Sequence, residues 1–531
     1  MNCINTFFTY TSISKTVQIV KQILTNSRLA NICKNSQKSD LVLIGAAMFI
    51  TFYSLSDYFR VKTSRLNLPP TVAYSLPFFG HNLYLMFMPS KFLDWCNNEY
   101  GEIYNLILQG KMMTITSGKL GEETLKADSE YLSIDQGIVR DVLHLDYVFD
   151  LNILDISLTA NPAVAKMLIP NYRMPLYVSG IQYGLKNACH TLLQKKITIV
   201  QNPSHFFQKF IAYASIPSLV GDEFALNVEV VESFANFTGD IIKNVPLFMV
   251  VPKILHKFIL PYVQSSKYHE RVMLKHVAPI IHKRREEMRR AKQIGREHGL
   301  TANFLQGLIE YETIDQNGIK TQLSPEQLSE SVLLVAFASV HTTSMNLGFC
   351  IYWLIARPDL LARFIEEIER ILPGDTPVSN TALTKMKFLN NFTREVLRQG
   401  SDKLANGKKA MRDFTFSNGY QVPKNGYVAS TFRQMNFGSN STRESVDEMD
   451  PDMSLNKTSI TPARDFVSFG AGKHLCPGRF FAVQEIQMAL VHLFKNYDVK
   501  TVSGKRPQPV WYVAGYMVTN CEDPLVFTLK K

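Results

Sequence analysis

One short segment near the carboxyl terminus constrains this chain more than any other. Residues 466–480 have the sequence FVSFGAGKHLCPGRF, and a run with helical periodicity follows at 481–494. Cys476 therefore precedes a helix, where unpaired backbone N–H groups and the positive end of the helix dipole are expected to stabilise a thiolate and to lower its pKa. The residues around Cys476 are small or aromatic and would let a flat group approach the backbone. They are Phe469, Gly470, Gly472 and Gly478. The segment predicts a cradle in which a cysteine meets a large planar cofactor.

The spacing of this segment excludes other functions of a glycine-rich loop. A phosphate-binding loop would need glycine at 467 and a hydroxyl residue at 474, where the chain has Val467 and His474. The G-x-G-x-x-G spacing of a dinucleotide site is also absent from the segment. A single buried cysteine is usually inert packing, but packing alone does not account for three glycines and an aromatic residue beside it.

The composition is that of a globular protein and narrows the range of partners. Hydrophobic residues make up 46% of the 531 positions and charged residues 19%. The net charge of +11 is diffuse, which fits contact with anionic lipid or an acidic protein and argues against nucleic acid. The seven cysteines are far apart without a C-x-x-C pair, so neither a zinc site nor a redox dithiol is predicted. A reducing, cytosol-facing environment is the simplest interpretation.

The amino-terminal region predicts a membrane anchor. Residues 41–55, LVLIGAAMFITFYSL, carry no charge, and weaker apolar character continues, so 41–59 is a candidate transmembrane helix. A buried core helix is the alternative. A basic, proline-rich hinge follows at 60–78, and this arrangement suits a catalytic domain held at a membrane face. The expected parts of the chain are a polar basic tail at 1–40, the anchor at 41–59, the hinge at 60–78 and one catalytic domain at 79–531.

The first 39 residues fit more than one cellular compartment. They contain five lysine or arginine residues, many Ser, Thr and Asn, and no Asp or Glu. This composition is typical of a mitochondrial transit peptide, which is one alternative. The interpretation that we favour is a polar tail ahead of a single-pass anchor in the endoplasmic reticulum membrane, with the catalytic domain facing the cytosol.

The rest of the chain predicts one continuous body that is mainly α-helical with a minor β-sheet region. Helical periodicity marks the stretches 90–100, 279–293, 325–356, 357–372 and 386–398. Short strand patterns occur at 413–416, 426–431 and 509–513. The polar segment 433–461 is long for a structureless loop and is expected to wind over a surface near the functional site.

The cysteine segment resembles the haem-binding signature of the cytochrome P450 family. The resemblance is carried by Phe469, Gly472, His474, Cys476 and Gly478, with His474 where arginine is more usual and where fungal members often have histidine. It implies the cytochrome P450 fold and haem b, iron protoporphyrin IX, with Cys476 as the axial ligand of the iron. It also implies that His474 contacts a haem propionate, and Lys408 and Lys409 are further candidates for such a contact.

A second segment resembles the family's buried ion pair behind the haem. Glu395 and Arg398 are three residues apart on one helix face and lie where the family places that pair ahead of the cysteine. The family's Pro-Glu-Arg-Phe element has no clear counterpart before the cysteine loop, and the nearest segment is 450–454. The three-way brace around the pair is therefore expected to be incomplete.

A third segment, within the long apolar helix, resembles the family's oxygen-binding groove. Ala338 and Ser339 are small and hydroxyl residues follow them, so the helix can loosen locally because Thr side chains bond back to its carbonyls. Thr342 falls on the family's threonine that steadies dioxygen and its protons. The residue before it is usually acidic but is His341 here, which can also relay protons; a satisfied core histidine is the alternative. A similar His-Thr-Thr-Ser run occurs in fungal enzymes related to ent-kaurene oxidase.

The resemblance implies a fungal monooxygenase, of the kind found in secondary metabolism, that hydroxylates a lipophilic substrate with O2. A terpenoid, a steroid or a related polycyclic is expected, with electrons from an NADPH-cytochrome P450 reductase, since the chain has no flavin or nicotinamide fingerprint. Two alternatives stay open. A haem-thiolate isomerase or dehydratase would need no reductase, and a degenerate haem-binding membrane protein would bind carbon monoxide without converting a substrate.

Overall fold

The structure, a computed structural model, describes residues 65–76, 79–108, 111–147, 174–243, 255–256, 258–260, 266–314, 320–401, 404–437, 448–454, 457–507, 510–513 and 517–530. The predicted tail at 1–40 and the candidate transmembrane helix at 41–59 lie outside these residues, as do positions 60–64, 77 and 78 of the predicted hinge. The chain divides into two compact units, and residues 66–75 and 80–531 form the larger one.

Fourteen α-helices lie within the described part of the larger unit. They are α1 Asn82–Phe87, α2 Pro89–Tyr100, α3 Gly118–Lys126, α4 Met174–Leu192, α5 Pro203–Leu219, α6 Val228–Ile242, α7 Ser266–Gln293, α8 Phe304–Ile309, α9 Pro325–Ala356, α10 Pro358–Ile371, α11 Asn380–Lys385, α12 Lys387–Gln399, α13 Phe432–Phe437 and α14 Arg479–Asn496. A π-helix spans Asp135–Val142, and short 3₁₀ turns occur at Leu145–Tyr147, Asp222–Phe224, Pro451–Ser454 and Gly472–His474. The described body is therefore mainly helical, as the sequence predicted.

The described residues also form short strands that pair into small sheets. They are β1 Ile103–Leu108, β2 Lys111–Thr116, β3 Leu132–Ser133, β4 Ile197–Val200, β5 Glu312–Ile314, β6 Lys320–Gln322, β7 Leu404–Ala410, β8 Phe414–Thr415, β9 Gln421–Val422, β10 Tyr427–Thr431, β11 Tyr497–Thr501, β12 Val510–Val513, β13 Met517–Asn520 and β14 Leu525–Leu529. A five-stranded sheet has the order β1-β2-β10-β7-β3, and a three-stranded sheet has the order β11-β14-β4. The β10–β2 pair is parallel and the other pairs are antiparallel.

Helix α9 runs through the largest apolar core. It begins at a capping box, in which the Gln327 N–H donates to the Ser324 hydroxyl at 3.2 Å and the Ser324 N–H donates to the Gln327 side-chain oxygen at 2.8 Å. Pro325 suits the first helical position because an N–H there would have no partner inside the helix. The helix then packs against α5, α6, α7, α12 and α14. It is long and apolar enough to cross a membrane, but its packing among other helices identifies it as a core helix.

Most predicted helices are confirmed to within two residues, and α9 matches its predicted bounds at both ends. Helix α7 is the exception, because it begins at Ser266 and not at residue 279. Proline is most favourable in the first turn of a helix, so Pro279 indicated a start, yet it lies inside α7. Val272, Met273 and Val277 are buried in the same core as Ile281, and this packing extends the helix across the proline.

The strand predictions are confirmed for β8, β10 and β12, which lie within the three predicted segments. The remaining strands of the five-stranded sheet were missed. Five of the six residues of β1 are buried, so its sequence lacks the alternation of apolar and polar residues that marks a half-exposed strand.

Candidate active site

Cys476 lies in a tight loop that leads directly into α14. Its N–H donates to the Phe469 carbonyl at 2.9 Å, and the 3₁₀ turn Gly472–His474 lies between them. Gly472 has φ +67°, and a Cβ added there would come within 3.0 Å of the Lys126 Cα, so both the backbone conformation and the space favour glycine. The cysteine is three residues ahead of Arg479, the first residue of α14, as the sequence predicted.

The electrostatic environment of the thiol differs from the expectation. Burial raises the pKa of the Cys476 thiol, while the N–H groups of Gly478 and Arg479 and the charge of the Arg479 guanidinium act in the opposite direction. The N–H groups at the helix start therefore lower the thiol pKa as predicted, but desolvation outweighs them and the net shift is upward. A metal ion deprotonates a thiol that coordinates it, so the thiol and its two N–H donors fit a metal ligand.

Side chains of α12 and α13 hold the cysteine loop and the segment of chain that precedes it. Arg394 on α12 donates to the carbonyls of Thr458 at 2.6 Å and Thr461 at 2.8 Å. Its guanidinium lies 3.8 Å from the centroid of the Phe466 ring, a cation–π contact. Asn436 on α13 accepts a hydrogen bond from the loop backbone at 2.9 Å. Sequence analysis missed Arg394 and Asn436, and the signal for Arg394 was its place beside the predicted ion pair.

The ion pair of α12 is buried and bidentate. Arg398 Nε donates to Glu395 Oε2 at 3.0 Å and Arg398 Nη2 donates to Glu395 Oε1 at 2.6 Å, with the side chains 1% and 0% exposed. The Glu448 carbonyl accepts from Arg398 at 3.2 Å, and the Asp450 N–H donates to Glu395 at 3.4 Å. Main-chain groups near the predicted segment 450–454 therefore contribute to the brace, which side-chain motifs alone did not reveal.

His474 lies near the end of α3, beside a buried lysine. Its Nε2 is 3.2 Å from Ser129 Oγ, and burial, followed by the charge of Lys408, lowers the pKa of the imidazole. Lys408 donates to three carbonyls at the end of α3, the closest being that of Thr124 at 2.7 Å, and burial lowers its pKa to about 8. Lys409 points elsewhere and pairs with Asp141 of the π-helix at 2.8 Å. Contact of a propionate with His474, Lys408 or Lys409 stays a prediction.

Two exposed positions interrupt the buried middle of α9. Ala338 and Thr342, one turn apart on the same face, are exposed, whereas Val340 and Thr343 are buried. The Thr342 hydroxyl donates to the Ala338 carbonyl at 2.8 Å, which is the back-bond expected from the sequence. His341 is half-buried beside it. The Thr342 side chain is thus accessible to a bound molecule, and its role stays a prediction.

The residues of the cysteine loop and of α9 fit a large planar cofactor. Helix α9 packs against α14, the helix that follows Cys476. A Cβ added at Gly478 would meet no atom of the described residues within 4 Å, so the backbone beside the thiol is open to a flat group. Cys476 would supply the ligand, and His474 would lie at the anionic edge of the group. These features agree with the haem that the resemblance implies.

A buried carboxyl on α14 predicts a pH dependence of stability. Glu485 is fully buried, Ser215 on α5 donates to its Oε1 at 2.7 Å, and burial raises the pKa of Glu485 to about 8 from the ordinary value of about 4.5 for a glutamate. The folded protein therefore keeps a proton that the unfolded chain releases, so the free energy of unfolding falls as pH rises between these two pKa values. The slope from this group is at most about 1.4 kcal/mol per pH unit.

Glu485→Gln should remove that slope, because glutamine does not titrate. The free energies of unfolding of parent and variant are compared by denaturant titration at about pH 5.5 and about pH 7.5. We expect the parent to lose stability relative to the variant between the two conditions. Parallel pH dependences would show that Glu485 is ionised in the folded protein.

The fold and the site have the features that the resemblance to haem-thiolate proteins predicts: a helical body in which a long central helix presents a threonine and packs against the helix that follows Cys476. A family comparison agrees, because the chain matches the cytochrome P450 family over residues 69–519. The chain belongs to the cytochrome P450 family, and its cofactor is accordingly a haem with a cysteine thiolate ligand.

Similar proteins of this family come from fungi. Cytochrome P450 monooxygenase 151 of Postia placenta is 27% identical over 318 residues, which cover 57% of this chain and 62% of the relative. Cytochrome P450 monooxygenase 71 of the same fungus is 24% identical over 429 residues, covering 77% and 83%. Cytochrome P450 monooxygenase atmQ of Aspergillus flavus is 26% identical over 324 residues, covering 57% of each chain. These relatives are named as fungal P450 monooxygenases, and the chain spans less than two thirds of the length of two of them. The narrower likeness to ent-kaurene oxidase has no counterpart among them.

Proposed function

We propose that this protein is a membrane-attached monooxygenase that hydroxylates a terpenoid, a steroid or a related polycyclic. The observation that carries the proposal is the exposed Thr342 hydroxyl on a helix that is otherwise buried and that packs against the helix following Cys476. When bound, the haem supplies an oxidant for unactivated C–H bonds, and the thiolate ligand favours cleavage of the O–O bond. The tasks left to the chain are to hold dioxygen, to deliver protons and to keep the substrate in place.

Thr342 and His341 are suited to handling the protons that dioxygen requires. The Thr342 hydroxyl has one donor, which lies on the Ala338 carbonyl, and lone pairs that can accept. If the hydroxyl donated to a molecule in the site instead of to the carbonyl, it would give up one neutral hydrogen bond, about 1 kcal/mol. Histidine is the side chain whose ordinary pKa is closest to neutral, so His341, the residue before Thr342, is the proposed proton relay.

Thr342→Ala is expected to keep the carbon monoxide spectrum of a thiolate-ligated haem but to divert electrons from NADPH into peroxide. The reason is that alanine removes the hydroxyl that steadies dioxygen without disturbing the cysteine loop. The ratio of peroxide released to NADPH consumed should rise about tenfold if the hydroxyl contributes about 1.4 kcal/mol. Thr342→Ser keeps a hydroxyl and serves as the control. Equal ratios in parent and Thr342→Ala would remove Thr342 from the mechanism.

The electron donor and the membrane are proposed partners. An NADPH-cytochrome P450 reductase is the proposed donor, and the net charge of +11 favours an acidic surface on that partner. The apolar run at 41–59 would hold the catalytic domain at the cytosolic face of the endoplasmic reticulum. A fluorescent fusion of the full chain should co-localise with this membrane, and mitochondrial import would favour the transit-peptide alternative.

The substrate class is supported by two features of the chain. Attachment to a bilayer favours a lipophilic molecule, and the residues 341–344, His-Thr-Thr-Ser, resemble those of fungal enzymes related to ent-kaurene oxidase. The purified full chain is therefore screened against terpenoids and steroids for shifts of the haem Soret band, and the binders are tested for products with and without NADPH and reductase. Hydroxylated product that depends on NADPH supports the proposal. Turnover without NADPH would indicate an isomerase or dehydratase, and the absence of any product would indicate a degenerate haem protein.

A further inference from the structure

Several carbonyls in the middle of α9 accept hydrogen bonds from side chains. The Thr342 hydroxyl donates to the carbonyl of Ala338 at 2.8 Å and approaches that of Ser339 at 3.4 Å, and the Thr342 carbonyl accepts from the Asn346 amide at 2.8 Å. Such bonds loosen and bend a helix because they compete with its backbone N–H groups. The orientation of the peptide groups in this turn therefore depends on a few side-chain donors.

One of these donors comes from a different helix. Thr238 on α6 is 4% exposed, and its hydroxyl donates to the Phe337 carbonyl at 3.1 Å. That carbonyl immediately precedes the carbonyl of Ala338, so Thr238 and Thr342 bind neighbouring peptide groups. The rings of Phe237 and Phe337 also meet edge to face, with centroids 6.4 Å apart. A polar and an apolar contact thus join α6 to this turn of α9.

The Thr238 hydroxyl donates to a neighbouring helix and not to its own. A buried threonine in a helix commonly donates to the carbonyl four residues earlier, here that of Phe234, but Thr238 donates across to α9. Valine has nearly the same shape and would fill the same space, but it would take this donor away from the Phe337 carbonyl. The contact therefore depends on the hydroxyl group and not on the volume of the side chain.

Helix α6 is also held by α7, another of its neighbours. The His269 ring lies between Ser233 and Asp240 of α6, with its nitrogens 2.8 Å from Ser233 Oγ and 3.0 Å from Asp240 Oδ2. The same ring packs edge to face on Phe237 at 5.3 Å between centroids. Phe237 is thus packed between α7 and α9, and the neighbouring Thr238 donates from a firmly held position.

We propose that Thr238 is a positioning residue for the dioxygen-binding turn of α9. By binding the Phe337 carbonyl, it orients the peptide group next to Ala338, and through that group it orients the carbonyl that holds the Thr342 hydroxyl. The inference rests on the proposed role of Thr342, and it adds a residue on another helix that does not touch the reacting atoms.

The test uses the full-length, haem-loaded protein with carbon monoxide as the probe. The C–O stretching band of the reduced complex responds to polar groups near the bound gas. Thr238→Val should shift or split this band because the turn is no longer held in one orientation, and Thr238→Ser, which keeps the hydroxyl, should restore the parent band. Thr343→Val is the matched control and should leave the band unchanged. It removes a buried hydroxyl of α9 that has no hydrogen-bond partner among the described residues.

Peroxide release gives a second readout. Thr238→Val should raise the ratio of peroxide to NADPH consumed about fivefold, the effect of losing one hydrogen bond. If Thr238 acts through Thr342, the double variant Thr238→Val/Thr342→Ala should be no worse than Thr342→Ala alone.

The possible failures are distinguishable. An unchanged band and an unchanged peroxide ratio in Thr238→Val, in a protein that keeps the red-shifted Soret band of a thiolate-ligated haem, would overturn the role of Thr238 and leave the oxygenase function intact. A parent protein without that Soret band would overturn the proposed function itself. If Thr238→Val holds no haem, Thr238→Ala takes its place with the same expected band shift and peroxide ratio.

Discussion

Cys476→Ser is expected to lose the red-shifted Soret band of the reduced carbon monoxide complex completely, together with all oxygenation. Serine keeps the shape of the side chain, but its hydroxyl does not provide the anionic sulfur ligand of a haem-thiolate enzyme. The loop should still form, because the hydrogen bond from residue 476 to the Phe469 carbonyl uses the backbone N–H. The measurement is the reduced carbon monoxide difference spectrum of the purified full chain and the variant.

The matched control is Cys96→Ala. Cys96 is also buried, but it packs in a separate apolar cluster with Phe92 and Leu93 of α2, so the variant should keep the parent spectrum. A red-shifted band in Cys476→Ser would mean that another side chain ligates the iron. The roles proposed for Thr342 and His341 would then have to be withdrawn as well.

Glu395→Ala is expected to give a misfolded protein that holds no haem. The substitution would leave the guanidinium of Arg398 buried, with a side chain 1% exposed, and without its carboxylate partner. Breaking a buried pair from one side costs about 3–5 kcal/mol, a large share of the roughly 5–15 kcal/mol that stabilise a folded protein. Arg398→Ala should behave in the same way, because it leaves the carboxylate buried. Haem content and the fraction of monomer in size-exclusion chromatography measure both effects.

The control for the ion pair is Glu286→Ala on α7. Glu286 pairs with Arg290, but the two side chains are 47% and 71% exposed, so solvent screens the interaction. Its loss should change the free energy of unfolding by less than about 0.5 kcal/mol. A soluble, haem-loaded Glu395→Ala protein would show that the α12 pair is no more important to folding than this exposed one.

The main helices could be predicted because their signals are local. Helix α9 has a capping box and a proline at its start and Pro358 just beyond its end, and the predicted bounds of 325–356 are confirmed. The start of α7 could not be predicted, because burial of Val272 and Val277 against distant helices outweighed the local signal of Pro279. Strand β1 was missed for a related reason, since burial on both faces removes the alternation that marks a strand.

In the candidate site, too, features that are local in the chain could be predicted and contacts between distant residues could not. The spacing around Cys476 and the hydroxyl residues after Ala338 were visible in the sequence, and so was the three-residue spacing of Glu395 and Arg398. The contact of Thr238 with the carbonyl of residue 337 was not visible, because the two residues are far apart in the chain. No local pattern distinguishes a threonine that binds its own helix from one that binds a neighbour.

The sequence by itself determined the glycine-rich loop around Cys476, the bounds of the central helix and the resemblance to the family that the comparison confirms. These features depend on residues that are close in the chain, where backbone geometry and helix capping act. Only the tertiary structure decided that the pair on α12 is buried, that desolvation raises the pKa of the Cys476 thiol, and that α6 contacts the turn carrying Thr342. Burial and contacts between helices depend on which distant segments pack together, and that packing is set by the folded chain as a whole.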